Sequence, residues 1–149
     1  MPQTGQRIDP YRAFNFLVEL DNIAQASFIE CTGLSSTTEV IENREGGDNT
    51  TVKKLPGKTS YSDITLKWGL TDSMDLWNWR LQVTNGDVPF RKNGSIVVFD
   101  LANHTEVTRW NFVAAWPTKW EGPAFNARGA EIAIDTLVLA HEGLTRKNP

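Results

Sequence analysis

Residues 12–20 read RAFNFLVEL, and this stretch decides the class of fold because its apolar side chains fall on every second position. A period of two residues is typical of a β-strand with one face packed against a core and the other in water. Residues 62–68, SDITLKW, repeat the pattern with Ile64, Leu66 and Trp68 on one face. Both stretches therefore predict half-buried strands of an antiparallel sheet.

The rest of the chain adds more strands and one helix. Further strands are predicted at residues 26–31, 35–45, 95–101, 106–115 and 131–141. Trp116-Pro117 is expected to end the strand before it, because proline cannot donate to a ladder. Roughly seven strands and one helix indicate a mainly β (α+β) fold, an antiparallel β-barrel or sandwich with one packed α-helix. Residues 1–149 read as a single domain, in which the polar residues 1–10 are expected to form an extended N-terminal arm.

The predicted helix covers residues 72–85, DSMDLWNWRLQVTN, with Asp72 as its N-cap and Gly86 placed to end it. At about 100° per residue its apolar side chains fall on two faces. One face holds Met74, Trp77 and Leu81, and the nearly opposite face holds Leu76, Trp79 and Val83. A helix packed on one sheet needs only one apolar face, so the second must meet a loop, a terminus or another subunit.

Residues 42–59, ENREGGDNTTVKKLPGKT, form a long polar excursion between two predicted strands. The glycines and the proline argue against a regular element through most of it. Ordering such a loop costs roughly 1–2 kcal/mol per residue in backbone entropy, which its few apolar side chains cannot recover. The stretch is therefore expected to be disordered in the free chain or ordered by another molecule.

Composition excludes several classes of function. The chain has 40% hydrophobic and 22% charged residues, and its net charge of −3 argues against a dedicated polyanion binder. Cys31 is the single cysteine, so no intrachain disulfide is possible and a buried structural role is favoured. The two histidines have no metal-ligand spacing, and no cofactor or enzyme activity is expected. No apolar run has the length of a signal peptide or a membrane span, which predicts folding in the cytoplasm.

Several segments in a fixed order are similar to one known family. They are FIECTGL at 28–34, an acidic strand leading into REGG at 44–47, KLPG at 54–57, TLKWG at 65–69, WPTKW at 116–120 and HEGL at 141–144. In order and spacing, the chain resembles the tail-tube family of contractile phages and, more closely in length, the inner-tube proteins of phage-tail-like contractile injection systems. The resemblance implies a helix-decorated β-barrel that forms homohexameric rings, which stack into a hollow tube inside a contractile sheath. It brings no catalytic residue.

The same resemblance implies partners and a location. The expected partners are further copies of the chain, the sheath protein, baseplate or spike and tube-terminator proteins, and a lumenal cargo. That cargo would be a protein effector or, in a phage, the tape measure and DNA. No integral membrane segment is expected. The subunit would assemble in the cytoplasm and become part of a virion tail or a released extracellular particle.

Three groups of residues carry the contacts that the resemblance implies. The family's extended loop bridges neighbouring subunits and corresponds here to residues 46–59, with Asp48, Asn49, Thr51, Lys53, Lys54, Leu55 and Lys58 as expected contacts. The helix face of Met74, Trp77 and Leu81 is a second expected interface. The residues expected to face the lumen or an adjacent subunit are Thr37, Glu39, Asn43, Glu45, Asp63, Thr65 and Lys67. An acidic lumen would let cargo slide without sticking, by like-charge repulsion.

Six tryptophans in 149 residues support a second hypothesis from another class. Exposed aromatic rings serve as platforms for sugars, so Trp110, Trp116 and Trp120 would suit a monomeric carbohydrate-binding β-sandwich. Self-assembly separates the two hypotheses, because only a tube subunit forms rings or tubes when purified.

Overall fold

The computed structural model describes residues 15–23, 28–44, 46, 51–100 and 104–149. These ranges hold nine β-strands and one α-helix, which confirms the predicted mainly β fold. In chain order they are β1 Phe16–Leu20, β2 Glu30–Thr32, β3 Ser36–Asn43, β4 Lys53–Tyr61, β5 Ile64–Gly69, α1 Asp75–Thr84, β6 Lys92–Phe99, β7 Glu106–Glu121, β8 Ile134–Ala140 and β9 Gly143–Lys147. The predicted arm at residues 1–10 and the start of the first predicted strand lie outside the described residues.

Seven of the strands share one antiparallel sheet with the order β1-β6-β7-β8-β5-β2, and β9 also pairs with β7. The long strand β7 changes partners along its length. Its first half pairs with β6 and β9, and its second half pairs with β8. β7 therefore joins the two halves of the sheet.

The core lies on one face of β5 and β8. Ile64 is the direct register partner of Leu139, and Leu66 is the partner of Leu137. All four side chains are fully buried, and burying each contributes about 1.5–3 kcal/mol. β1 also buries its alternate side chains in this core. The period-two pattern of these strands is confirmed.

A proline lies inside β7, at the point where the sequence predicts that the strand ends. That prediction is wrong, because Pro117 is buried within β7 opposite Leu139 of β8. The Pro117 carbonyl oxygen accepts a hydrogen bond of 2.9 Å from Arg80 Nη1 on α1. In an antiparallel pair a residue exchanges both backbone hydrogen bonds with its partner or neither. Because the Pro117 carbonyl faces α1, its missing N–H removes no bond between β7 and β8.

α1 begins at Asp75, three residues later than predicted. The predicted N-cap is wrong, because the backbone bends at Asp72 and the capping position is occupied by Met74, which makes no side-chain cap. The predicted end is confirmed, since Gly86 has a φ of 72° and its N–H donates to the Val83 carbonyl at 3.2 Å. No helix in the described part of the chain has the length and apolarity needed to cross a bilayer.

β9 has no counterpart in the sequence predictions. Its five residues, GLTRK, show no apolar alternation, and the last three are exposed. The strand forms because β7 supplies its hydrogen-bond partners, with Trp110 opposite Arg146 and Phe112 opposite Leu144. β9 is therefore a strand because it pairs with a segment distant in sequence, and its own sequence does not predict it.

Candidate assembly site

β3 and β4 form a two-stranded sheet of their own, here called the ribbon, which is separate from the seven-stranded sheet. The prediction of an irregular loop over residues 46–59 is wrong for residues 53–59, which belong to β4. The reason is that β3 satisfies the backbone of β4, with Asn43 opposite Lys53 and Val40 opposite Pro56. Pro56 is tolerated because the ribbon has only edge strands and the register shifts beside it.

The ribbon presents apolar side chains to solvent. All eight residues of β3 are exposed, and most of β4 is exposed as well. The exposed fractions of Val40, Ile41 and Leu55 are 59%, 47% and 46%. An isolated two-stranded ribbon is only marginally stable in water. Exposed apolar residues on such an element are typical of a surface that another molecule covers.

The root of the ribbon is fixed to the body by hydrogen bonds. Ser35 Oγ and Ser62 Oγ lie 2.6 Å apart, and the Ser62 N–H donates to the Ser35 carbonyl at 3.3 Å. His141, directly after β8, places its Nε2 3.0 Å from the Ser62 carbonyl oxygen and its ring against Tyr61. These contacts set the direction in which the ribbon leaves the sheet.

The helix face of Met74, Trp77 and Leu81, which the sequence predicts to be an interface, is partly covered by the same chain and partly exposed. Trp77 packs edge-on against Trp120 of the same chain, and Leu81 is half-buried, whereas 55% of Met74 is exposed. A groove of about 310 Å³ opens beside this face. This groove is lined mainly by Trp68, Met74, Trp77, Trp120, Phe125 and Asp135. The end of β7 thus covers part of the face, and an apolar groove lies beside the rest.

Asp135 is a charged side chain in this otherwise apolar groove. It lies on the core face of β8, opposite Trp68 of β5, and only 7% of it is exposed. Its Oδ1 has no hydrogen-bond partner among the described residues. Burial raises the pKa of the Asp135 carboxyl above its ordinary value. Sequence reasoning missed this residue as a site, although an acid on the same strand face as Leu137 and Leu139 was the available signal.

The residues expected to face a lumen fall on two separate surfaces. Thr37, Glu39 and Asn43 are exposed on the ribbon. Thr65 and Lys67 lie on the face of β5 that points away from the core, after the exposed Asp63. Lys67 Nζ pairs there with Glu30 at 3.2 Å. The structure therefore does not bring the two sets together, and their lumenal role stays a prediction.

The expected loop contacts are only partly described. Asp48 and Asn49 lie outside the described residues, as does Glu45 of the set expected to face the lumen. Thr51 is exposed just before β4, and Lys53, Lys54, Leu55 and Lys58 are exposed along that strand. Their role between subunits stays a prediction.

The described residues offer little for catalysis or sugar binding. Burial raises the pKa of the half-buried Cys31 thiol to about 11, so it stays protonated at neutral pH and is a poor nucleophile. No group of three or more His, Cys, Asp or Glu in the described ranges is placed to hold a metal ion. Arg146 covers the Trp110 ring at 5.3 Å, and Phe90 packs against Trp116, so neither ring is an open platform.

The described residues thus form an antiparallel body, a separate ribbon and an apolar groove. The family model described as T4-like virus tail tube protein gp19 matches residues 12–145, and the chain belongs to this family of tail tube proteins. A search of curated protein sequences finds no match.

Several solved structures share the fold. A chain of the extracellular contractile injection system PVC sheath-tube complex, in its extended state, is 25% identical with a TM-score of 0.83, covering 94% of this chain and 93% of that one. A chain of the anti-feeding prophage tube-terminating cap is 25% identical with a TM-score of 0.81, covering all of both chains. Hcp1 from Flavobacterium johnsoniae is 14% identical with a TM-score of 0.52 over 89% of this chain and 96% of that one, and shows the fold alone. The comparisons give no support to the carbohydrate-binding hypothesis.

Proposed function

We propose that this tail tube protein is the inner-tube subunit of a contractile injection particle or contractile phage tail, in which six copies form a ring and rings stack around a hollow lumen. The exposed ribbon is the observation that carries the proposal. Val40, Ile41 and Leu55 leave apolar surface in water on an element with no packed face of its own. Covering that surface with a second copy would supply the free energy that the ribbon lacks alone.

The subunit would work by shape and association, without catalytic turnover. Its partners would be the sheath around the tube, baseplate or spike proteins at one end, a terminator at the other, and cargo in the lumen. Assembly would take place in the cytoplasm before the particle becomes a virion tail or is released.

Electron microscopy of the purified chain tests this function. We expect rings or tubes with six-fold symmetry from the unmodified protein. A variant that replaces Val40, Ile41 and Leu55 with serine should remain folded by circular dichroism and stay monomeric. The matched control is Val113→Ser, because Val113 is 46% exposed and lies on β7, outside the ribbon. A chain that stays monomeric at every concentration, or a serine variant that builds normal tubes, would contradict the proposal.

We further assign the outward face of β5, with Asp63, Thr65 and Lys67, to the lumen, and Thr37, Glu39 and Asn43 on the ribbon to contacts between subunits. The support is that β5 belongs to the continuous sheet whereas the ribbon does not. A cysteine at Thr65 should react slowly with a polymer-linked maleimide in assembled tubes and quickly in free subunits. A cysteine at Val88, which is 77% exposed after α1, serves as the control. Equal rates for Thr65→Cys in both states would reject the assignment to the lumen.

A further inference from the structure

Two features of the groove beside α1 indicate that another molecule binds in it. Its rim is apolar and open, with 79% of Phe125 and 55% of Met74 exposed. Its wall carries the Asp135 carboxylate, which is more than nine-tenths buried and whose Oδ1 lacks a partner in the described residues. A buried carboxylate that lacks donors is unfavourable, and Asp135 lines this groove, so an occupant that brings both apolar surface and a positive charge would stabilise it.

One face of the ribbon has this chemistry. Ile41 and Leu55 are direct partners in the β3–β4 register, so their exposed side chains lie on the same face. Lys53 lies two positions along β4 from Leu55 and therefore shares that face. A leucine and a lysine about 7 Å apart along the strand match an apolar groove with an acid in its wall.

The positions of the ribbon and the groove indicate that the ribbon in the groove comes from another copy of the chain. The ribbon root contacts His141, whereas the groove begins at Asp135, at the opposite end of β8. Six residues of extended strand separate these ends by about 20 Å. Each copy thus carries a ribbon at one end of the strand and a groove at the other, which is the arrangement of a head-to-tail contact that can repeat.

We propose that the groove binds the ribbon of a second copy, with Leu55 packed among Trp77, Trp120 and Phe125 and the Lys53 ammonium paired with the Asp135 carboxylate where it lines the groove. This inference rests on the proposed tube function and names the surface that receives the ribbon. Each copy donates one ribbon and accepts one, so the contact builds a ring or a stack, depending on the rotation between neighbours.

Cysteine cross-linking tests the placement of Leu55. Leu55→Cys and Met74→Cys are introduced on separate chains, mixed, assembled and oxidised, and cross-links are mapped by mass spectrometry. We expect a disulfide that joins the thiol introduced by Leu55→Cys in one copy to the thiol introduced by Met74→Cys in another. The control pairs Leu55→Cys with Val113→Cys, which lies far from the groove along β7 and should not cross-link. Normal tubes without the expected disulfide overturn the docking proposal and leave the tube function standing, whereas absence of any assembly overturns both.

A double-mutant cycle tests the ion pair. Lys53→Met and Asp135→Asn should each weaken association by about tenfold, because the attraction between the two opposite charges is lost. The double variant should be no weaker than either single variant, because both changes remove the same charge–charge interaction. Sedimentation gives the association constants, and circular dichroism confirms that each variant folds. Losses that multiply in the double variant, or an Asp135→Asn chain that assembles like the unmodified one, would reject the pairing of Lys53 with Asp135.

Discussion

Trp77 of α1 packs its ring against Trp120 at the end of β7, with the ring centroids 4.7 Å apart and the planes at 69°. This contact ties the helix to the strand from the side opposite the buried Leu76 and Trp79. Edge-to-face aromatic pairs contribute about 0.5–1.5 kcal/mol beyond the area that they bury.

Because of this contact, Trp77 both stabilises the fold and lines the groove. We expect Trp77→Ala to lower the free energy of unfolding by about 1–3 kcal/mol, since part of a large side chain and its aromatic contact are lost. Met74→Ala is the control, because Met74 is exposed and its loss should change stability by about 0.5 kcal/mol or less. Urea denaturation measures both. Equal stability of the two variants would show that the Trp77–Trp120 contact contributes nothing.

Asp135 should give the fold a pH dependence of a specific sign. Burial raises its folded pKa above the ordinary 3.8, so the stability that depends on its protonation is fully present below pH 3.8 and is lost as pH rises through the raised folded pKa. We expect the stability of Asp135→Asn relative to the unmodified chain to increase with pH over this window. Thermal denaturation of monomeric protein from about pH 4 to about pH 7 would measure it.

The other carboxyls of the chain are common to both proteins. The hydrogen bond from Arg109 lowers the pKa of Glu106, and this group acts in the opposite sense, since its stabilisation is lost as pH falls. Subtracting the two curves removes this contribution. A difference that stays constant across the range would contradict the role given to the buried Asp135 carboxyl.

Gly94 on β6 should resist substitution because of close packing. A Cβ at this position would lie 2.4 Å from Phe112 Cζ and 2.7 Å from the Glu19 carbonyl oxygen. Because Phe112 is fully buried, we expect Gly94→Ala to destabilise the fold by about 1–3 kcal/mol. Gly46→Ala is the control, since no atom of the described residues lies within 4 Å of its added Cβ. Melting temperatures compare them, and a Gly94→Ala chain that melts with the control would refute the packing argument.

His141 should control how firmly the ribbon is held at its root. Removing the contact between its Nε2 and the Ser62 carbonyl by His141→Ala should speed amide exchange in β4 by about fivefold, the equivalent of one hydrogen bond. His104→Ala, an exposed change in the β6–β7 turn, should leave β4 unchanged. Hydrogen exchange with mass spectrometry resolves the segments. Unaltered exchange in His141→Ala would mean that the serine contacts alone hold the root.

The alternation of apolar residues predicts the core of this fold well. Ile64, Leu66 and Trp68 are buried as their spacing indicates. A strand with one face in solvent and one in the core has apolar residues at every second position, and this pattern can be read from the sequence. Composition also predicts the polar strand that the structure shows as the fully exposed β3.

Elements that depend on a distant partner could not be predicted in this way. β4 contains Pro56, which lies beside a register shift in an edge strand, and β7 contains Pro117, whose carbonyl faces α1. Neither surrounding can be read from the local sequence. The groove could be predicted only in part. Asp135 can be recognised in the sequence as an acidic residue on the core face of a strand. Its neighbours Trp120 and Phe125 come from another segment that only folding brings near.

The course of β8 also has a mechanical consequence. A push or pull that enters at the ribbon root beside His141 and leaves at the groove beside Asp135 travels along the strand axis. β8 pairs with β5 from Ile134 to Leu139, so a load along the strand axis acts on all the hydrogen bonds between the two strands at once. A load perpendicular to the strands would instead break these bonds one after another. The β5–β8 pair therefore resists load well along the line that joins the ribbon root to the groove.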